Sequence, residues 1–407
     1  MSEKPPLHPA DLHGVGRLAV EATHGITDLV ETLHQAFRRG PQPFGAPAKE
    51  PTGGIAGLVY ASIRGIAHLV GHSLDAVLLP LIPHAHERDP SPEHEALLSA
   101  LNGVLGDYLA ANANQLTLPM RLRMDGESLE LTTAALAAHS PPLGGKLLVL
   151  VHGLCLNDRH WQRQGHDHGA ALAAALGYTP VYLHYNTGLH ISVNGRTFAG
   201  MLETLVQQWP VSVERLEIVA HSMGGLVSRS AYHHATTVGY TWPRHLRSLV
   251  FLGTPHHGAP LERGGHWFTL LLGSSHYTAA LMRLGNIRSA GITDLRYGNL
   301  EDRDWASHDR FAHVGDLRQP LPLPTGVRCY AIATTTGTIP GDFHDQLLGD
   351  GLVPVSSALG EHHDPRMALA FPADRQWVGY GMNHLDLLSH PEVYAQLHAW
   401  LAQPAGQ

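Results

Sequence analysis

The stretch Val219-Ala-His-Ser222-Met-Gly-Gly225 joins a short apolar run, Leu216 to Ala220, directly to a helix-forming segment that begins at Met223. A strand and a helix must therefore meet abruptly at the serine. Such a turn drives the serine toward positive φ and lifts its Oγ clear of the end of a sheet. Backbone strain of this kind costs roughly 1–3 kcal/mol and survives only where the surroundings enforce it. Ala220, Gly224 and Gly225 are small enough for the helix to come close to the strand before it. The segment predicts a sheet flanked by helices, with one hydroxyl presented at its edge.

The flanking sequence has the matching periods. Lys146-Leu-Leu-Val-Leu-Val151 is a continuous apolar run, as expected of a strand buried on both faces. Further strands are expected at Pro180–Leu183, Leu216–Ala220, Leu249–Leu252, Val327–Ala333 and Ala368–Phe371, with a helix near Phe198–Trp209. Strands alternating with helices mean a mostly parallel α/β sheet. Asp125-Gly126, between Thr117–Met124 and Ser128–Thr132, signals a hairpin. The last helix opens with the capping-box pattern Ser389-His-Pro-Glu392 and runs to about Leu401. Between Gly253 and Val327 lies an insertion too long for an ordinary connection. Its apolar runs Trp267–Leu272 and Tyr277–Leu284 predict helices. The insertion, about residues 256–325, is expected to form a cap over the active-site mouth.

A chain of 407 residues has room for one large domain and an appendage. Residues 1–113 are expected as an N-terminal helical extension and 114–403 as the main domain. Leu12, Val15, Leu18, Ala22, Ile26, Leu29, Leu33 and Phe37 form one apolar stripe, followed by a Pro- and Gly-rich linker from Gly40 to Gly54. Ile55 to Leu81 is nearly all apolar, but Arg64, His68, His72 and Asp75 interrupt it, which argues against a membrane span. A helix packed on the main domain is expected there; the alternative is peripheral contact with a membrane surface or a partner. A third helix is expected from about Glu93 to Ala110.

Met1 to Pro9 lacks the apolar core of a signal peptide, and Cys155 and Cys329 offer no disulfide framework. A cytoplasmic protein, in its alternative form membrane-peripheral, is the expectation. The formal charge of −8, with scattered Lys and Arg, excludes an extended nucleic-acid surface. The 32 histidines include pairs such as His233-His234, His256-His257 and His362-His363, but these lack a third ligand at metal-site spacing. No metal or cofactor is expected from them.

A serine hydroxyl is a weak nucleophile and needs a base, an orienting acid and donors for the developing oxyanion. The strand ending at Val151 runs into His152-Gly153-Leu154-Cys155, at the same sheet edge as Ser222. The Leu154 N–H is then the natural companion of the Met223 N–H in an oxyanion hole, and His152 is expected to be structural. For the acid, Asp350 lies in Leu348-Gly-Asp-Gly-Leu-Val-Pro354, after the Val327 strand. For the base, His384 lies in Gly381-Met-Asn-His-Leu-Asp386, after the Ala368 strand. Asp342, Asp345 and Asp386 are rivals for the acid, though Asp386, two residues past the histidine, is expected to cap or orient that loop.

Ser222, Asp350 and His384 follow one another in the chain order of α/β-hydrolases. Together with the Ala-His-Ser-Met-Gly run, they give the chain a resemblance to bacterial esterases and lipases of that superfamily, from about Leu116 to Leu401. Gly253-Thr-Pro-His-His-Gly-Ala-Pro260 is similar to a stretch of the inositol-deacylase-like group. The N-terminal helices lie outside the resemblance. It implies an α/β-hydrolase fold and a serine carboxylic ester hydrolase acting on small-molecule or lipid esters with hydrophobic acyl groups. Ser222 is then the nucleophile, His384 the base, Asp350 its partner, and Leu154 and Met223 the backbone donors. An acyltransferase, amidase or thioesterase would use the same acyl-enzyme and stays open. Related lipases often bind calcium through an acidic residue two positions past the histidine, here Asp386. The amide-bearing ligand expected a few residues later is missing, with His390 near its place, so no metal is expected.

Overall fold

Valine, leucine and isoleucine dominate the strands of this protein because their side chains are buried on both sheet faces. The computed structural model describes residues 13–20, 23, 92–139, 142–259, 288–306, 316, 318–338 and 349–403. The linker from Gly40, the expected helix Ile55–Leu81, the apolar cap segments Trp267–Leu272 and Tyr277–Leu284, and the rival carboxylates Asp342 and Asp345 lie outside them. The chain divides into two compact units, one of Met1–Pro90 with Leu109–Thr117, the other of Ser91–Tyr108 with Leu118–Gln407. In the first, residues 13–20 are helical, and Asn114 Nδ2 donates to the Gly14 carbonyl oxygen at 3.2 Å.

The second unit is built on an eight-stranded sheet: β1 (Arg121–Met124), β2 (Glu127–Ser128), β3 (Lys146–Val151), β4 (Thr179–His184), β5 (Arg215–His221), β6 (Leu246–Leu252), β7 (Arg328–Thr335) and β8 (Gln376–Tyr380). Its order is β2-β1-β4-β3-β5-β6-β7-β8. The β1–β2 hairpin pairs antiparallel at one edge, and every pairing from β4 to β8 is parallel. Asp125 and Gly126 both take positive φ in the hairpin turn (53° and 85°), as a tight turn between twisted strands requires.

The helices are α1 (Pro92–Ala111), α2 (Thr133–Ala137), α3 (His168–Leu176), α4 (Ile191–Gln208), α5 (Met223–Val238), α6 (Ala290–Asp294), α7 (Val355–Ala358) and α8 (Pro391–Leu401). The two-residue period of the strands sorts the core. Leu148, Leu150, Val219, Val250, Tyr330 and Ile332 pack on one face with Leu172 of α3 and Val393, Leu397 and Trp400 of α8. Each such apolar side chain contributes about 1.5–3 kcal/mol when fully buried. A parallel sheet in this order, with its fifth strand turning straight into a helix, has the α/β-hydrolase fold. Among the described residues no helix is long and apolar enough to cross a membrane.

Two local expectations are corrected. The last strand is not Ala368–Phe371 but the half-buried edge strand β8. Leu369 and Phe371 are buried as anchors instead, and the Phe371 ring lies edge-on to Phe251 at 5.8 Å. An apolar pair can thus mark a packed loop as well as a strand. The final helix is capped by His390, whose Nδ1 accepts from the Glu392 N–H at 3.3 Å, rather than by Ser389. Asp167 caps α3 by accepting the Ala170 N–H.

Several histidines are held neutral in this core. Burial lowers His152 and His168 from the usual value to about 3; the His168 Nε2–H donates to the Leu387 carbonyl oxygen at 3.1 Å. A folded value below the unfolded one contributes stability above about pH 6.5 that is lost as pH falls toward 3. Each pH unit of separation is worth about 1.4 kcal/mol per group. Urea unfolding is therefore expected to show a fall of several kcal/mol between pH 7 and pH 4. A flat profile over that range would contradict the burial of these imidazoles in neutral form.

Candidate active site

Ser222 sits between β5 and α5 with φ 55° and ψ −125°, the strained turn that the abrupt strand-to-helix junction predicts. Its N–H is bonded to the Leu252 carbonyl oxygen at 2.8 Å, which ties the elbow to the end of β6. A Cβ on Gly224 would stand 2.6 Å from the Val151 carbonyl oxygen, so only glycine lets α5 descend onto β3 there. Ser222 is 8% exposed.

His384 and Asp350 meet at the same end of the sheet. His384 Nδ1 lies 2.6 Å from Asp350 Oδ2, with both side chains buried. The other carboxylate oxygen, Oδ1, accepts the N–H groups of Leu352 and Val353 at 3.0 and 2.8 Å. The His384 N–H returns to the Asp350 carbonyl oxygen at 3.1 Å. With Nδ1–H donating to the carboxylate, His384 Nε2 carries the lone pair; it is buried, and among the described residues it has no partner. A Cβ on Gly253 would touch His384 Cε1 at 3.1 Å, so the residue after β6 must be small to admit the ring. The His384 ring lies 4.6 Å from that of His221, the residue before Ser222, and among the described residues no hydrogen bond joins Ser222 and His384. Such bonds often close only when substrate is bound.

The loop after β3 lies against the elbow. A Cβ on Gly153 would fall 2.8 Å from Ser222 Cβ, so glycine brings the backbone there as close as it can come. Leu154 and Met223 are buried, and among the described residues neither amide has a hydrogen-bond acceptor. The Met223 N–H is one of the unsatisfied donors that open any helix. His152 behaves as a structural residue: it stacks on Tyr185 at 4.5 Å, and the Tyr185 hydroxyl donates to its carbonyl oxygen at 2.9 Å.

Sequence reasoning passed over His221. Its Nε2–H donates to the carbonyl oxygen of His384 at 3.1 Å, and its ring lies 4.6 Å from that of His384. Burial and the neighbouring His384 ring keep its imidazole well below the usual value, hence neutral. One side chain thus connects the strand under the serine to the loop that bears the histidine. Its place beside the serine was the available signal.

Asp386 Oδ2 accepts the Asn383 N–H at 2.9 Å, and Asn383 Oδ1 accepts the Leu385 N–H at 2.9 Å, so this pair shapes the His384 loop. Among the described residues no group of three or more His, Cys, Asp or Glu could hold a metal ion. His256 is buried against Phe251 and Phe371, and His257 Nε2 lies 3.1 Å from the Gly360 carbonyl oxygen. Both serve packing in the loop after β6.

The profile of a family described as a domain of unknown function (DUF7379) matches residues 122–295. No curated protein matches the chain. Among solved structures, the mature form of Bacillus licheniformis lipase BlEst2 is similar at 18% identity and a TM-score of 0.41, covering 66% of this chain and 95% of its own. Aspergillus fumigatus lipase B is 11% identical at a TM-score of 0.41, covering 98% of this chain and 86% of that one. An esterase of Pyrobaculum calidifontis is 13% identical at a TM-score of 0.35, covering 63% and 76%.

Proposed function

We propose that this protein is a serine carboxylic ester hydrolase. One observation carries the reading: a buried carboxylate bonded at 2.6 Å to a buried imidazole, whose ring lies 4.6 Å from that of His221, the residue before Ser222 at positive φ. His384 Nε2 takes the proton from Ser222 Oγ, and Oγ attacks the acyl carbonyl carbon. Asp350 holds the imidazole in the productive tautomer and stabilises the imidazolium that forms. The Leu154 and Met223 N–H groups receive the oxyanion; one such donor is typically worth about 2.7–4 kcal/mol of barrier. The alkoxide departs with the proton from His384, leaving the acyl group on Ser222. Water, deprotonated by the same nitrogen, then releases the acid and restores the serine.

A fluorophosphonate probe is expected to label Ser222 and no other residue, with loss of p-nitrophenyl butyrate turnover in step with labelling. Turnover that survives complete labelling would refute the mechanism. Competing alcohols and amines in the same assay separate hydrolysis from acyl transfer. Exhaustive chelation is expected to leave the rate unchanged, because the chemistry needs only protein groups and water. A rate that collapses with EDTA and returns with a divalent ion would point instead to a metal-dependent hydrolase.

A further inference from the structure

Helix α1, read from sequence as part of an appendage, carries three glycine- and asparagine-mediated contacts with loops of the sheet edge. A Cβ on Gly103 would lie 2.3 Å from Cys155 Sγ and 3.0 Å from its Cα. A Cβ on Gly106 would lie 1.9 Å from Asn186 Oδ1, and the Asn186 Nδ2 donates to the Gly106 carbonyl oxygen at 3.0 Å. Asn102 closes the set: its carbonyl oxygen would be 2.1 Å from a Cβ on Gly188. Over successive turns the helix backbone therefore lies directly on the Cys155 and Asn186 side chains and on the Gly188 backbone, with no room for a side chain of its own at Gly103 or Gly106.

The residue under Gly103 is the one next to the oxyanion donor Leu154. Cys155 is a non-glycine residue at φ 61°, and its N–H is bonded to Thr187 Oγ1 at 3.1 Å. A residue in that conformation is strained and is kept there by its surroundings. Two of those surroundings are visible: the Thr187 hydroxyl, and the face of α1 pressed on the cysteine. The helix is itself pinned, since the Ser289 hydroxyl donates to the Gly103 carbonyl oxygen at 2.6 Å and the Ala290 N–H to Asp107 Oδ2 at 3.0 Å. At its other end, Glu95 pairs with Arg123 at 2.9 Å, and Arg123 with Asp158 at 3.1 Å, two buried ion pairs running back to the segment after the oxyanion loop.

We infer that α1 is a positioning element of the active site, setting the Leu154 amide through the Gly103–Cys155 contact. The inference rests on the ester-hydrolase reading above. An oxyanion donor acts only over a narrow range of distance, and a displacement near 1 Å can cost about 100-fold. Any group that shifts Cys155 must shift Leu154.

The test is a swap across the contact, read with p-nitrophenyl butyrate and an alkyl trifluoromethyl ketone, which Ser222 would convert to a tetrahedral adduct. Gly103→Ala is expected to lower kcat by about 10- to 100-fold, leave KM within about threefold, and weaken the ketone by the same factor as kcat. Cys155→Gly, which removes the clashing Sγ and Cβ and accepts φ 61°, is expected to lower kcat less on its own. The double variant Gly103→Ala/Cys155→Gly is expected to recover most of the rate and of the ketone affinity. A general loss of folding would not produce that recovery or the parallel between kcat and ketone affinity. If Gly103→Ala does not fold, the comparison passes to Cys155→Gly against the double variant. Folded single variants with wild-type kcat and ketone affinity overturn the inference, as does a double variant no better than the worse single. A wild-type protein that Ser222-directed fluorophosphonate does not label, and that hydrolyses no ester, sinks the hydrolase reading and this one with it.

Discussion

Replacing Ser222 with alanine is expected to lower kcat toward an activated ester by a factor on the order of 10⁶, the scale found when a triad nucleophile is lost. What remains is the catalysis supplied by the oxyanion donors and by binding. The fold should be indifferent to the loss, because the side chain loses only one atom and the Ser222 N–H keeps its bond to the Leu252 carbonyl oxygen. Alanine keeps the strained φ of 55°, so its melting temperature stays within a few degrees of the parent. Glycine at the same position relieves that strain and is expected to be stabilising by about 1 kcal/mol while equally inactive. Inactivity together with raised stability is the signature of a residue retained for chemistry. An alanine variant that still turns over ester at more than a hundredth of the parent rate would put the nucleophile elsewhere.

Asp350→Asn is expected to lower kcat by about 10⁴ with little change in fold, by analogy with the same substitution in a well-studied protease triad. The reason lies in the two amides that hold Oδ1. Leu352 and Val353 both donate to that one oxygen. An asparagine has a single oxygen and will leave it there, where two donors claim it. Its NH₂ then faces His384 Nδ1, so that nitrogen must accept instead of donate. The proton moves to Nε2, the position from which, in the proposed mechanism, the imidazole takes the serine's proton. The check is kcat from pH 6 to 10 beside a thermal melt. A variant within tenfold of the parent across that range would mean Asp350 does not orient the base.

The readable and the unreadable parts of this molecule differ in kind. β3 was legible as an almost unbroken apolar run, and β4 through β7 because each holds a shorter apolar stretch of the kind a sheet buried on both faces requires. The elbow was legible for a related reason: an apolar strand, a serine, then two glycines allows few backbone paths. The hydrogen-bonded pair Asp350 and His384 was singled out because each follows an expected strand and the two come after Ser222 in the chain order of α/β-hydrolases. The edge strand β8 was misplaced, since Gln376-Trp-Val-Gly-Tyr380 is half-polar while the packed loop Ala368–Phe371 looks like a strand. At an edge, one-sided burial removes the continuous apolar signal.

Sequence alone determined the local conformations: where backbone must turn sharply, which runs pair as buried strands, and which residue types with acid–base chemistry fall at strand ends. Those follow from sterics and from the two- and 3.6-residue periods, which act between near neighbours. Only the tertiary structure decided that His221 would reach the His384 carbonyl, that Leu352 and Val353 would hold the Asp350 carboxylate, and that Gly103 would lie on Cys155. The first and last of these contacts join residues distant in the chain, and each exists because a common burial pays the entropy of bringing them together. No short motif encodes that.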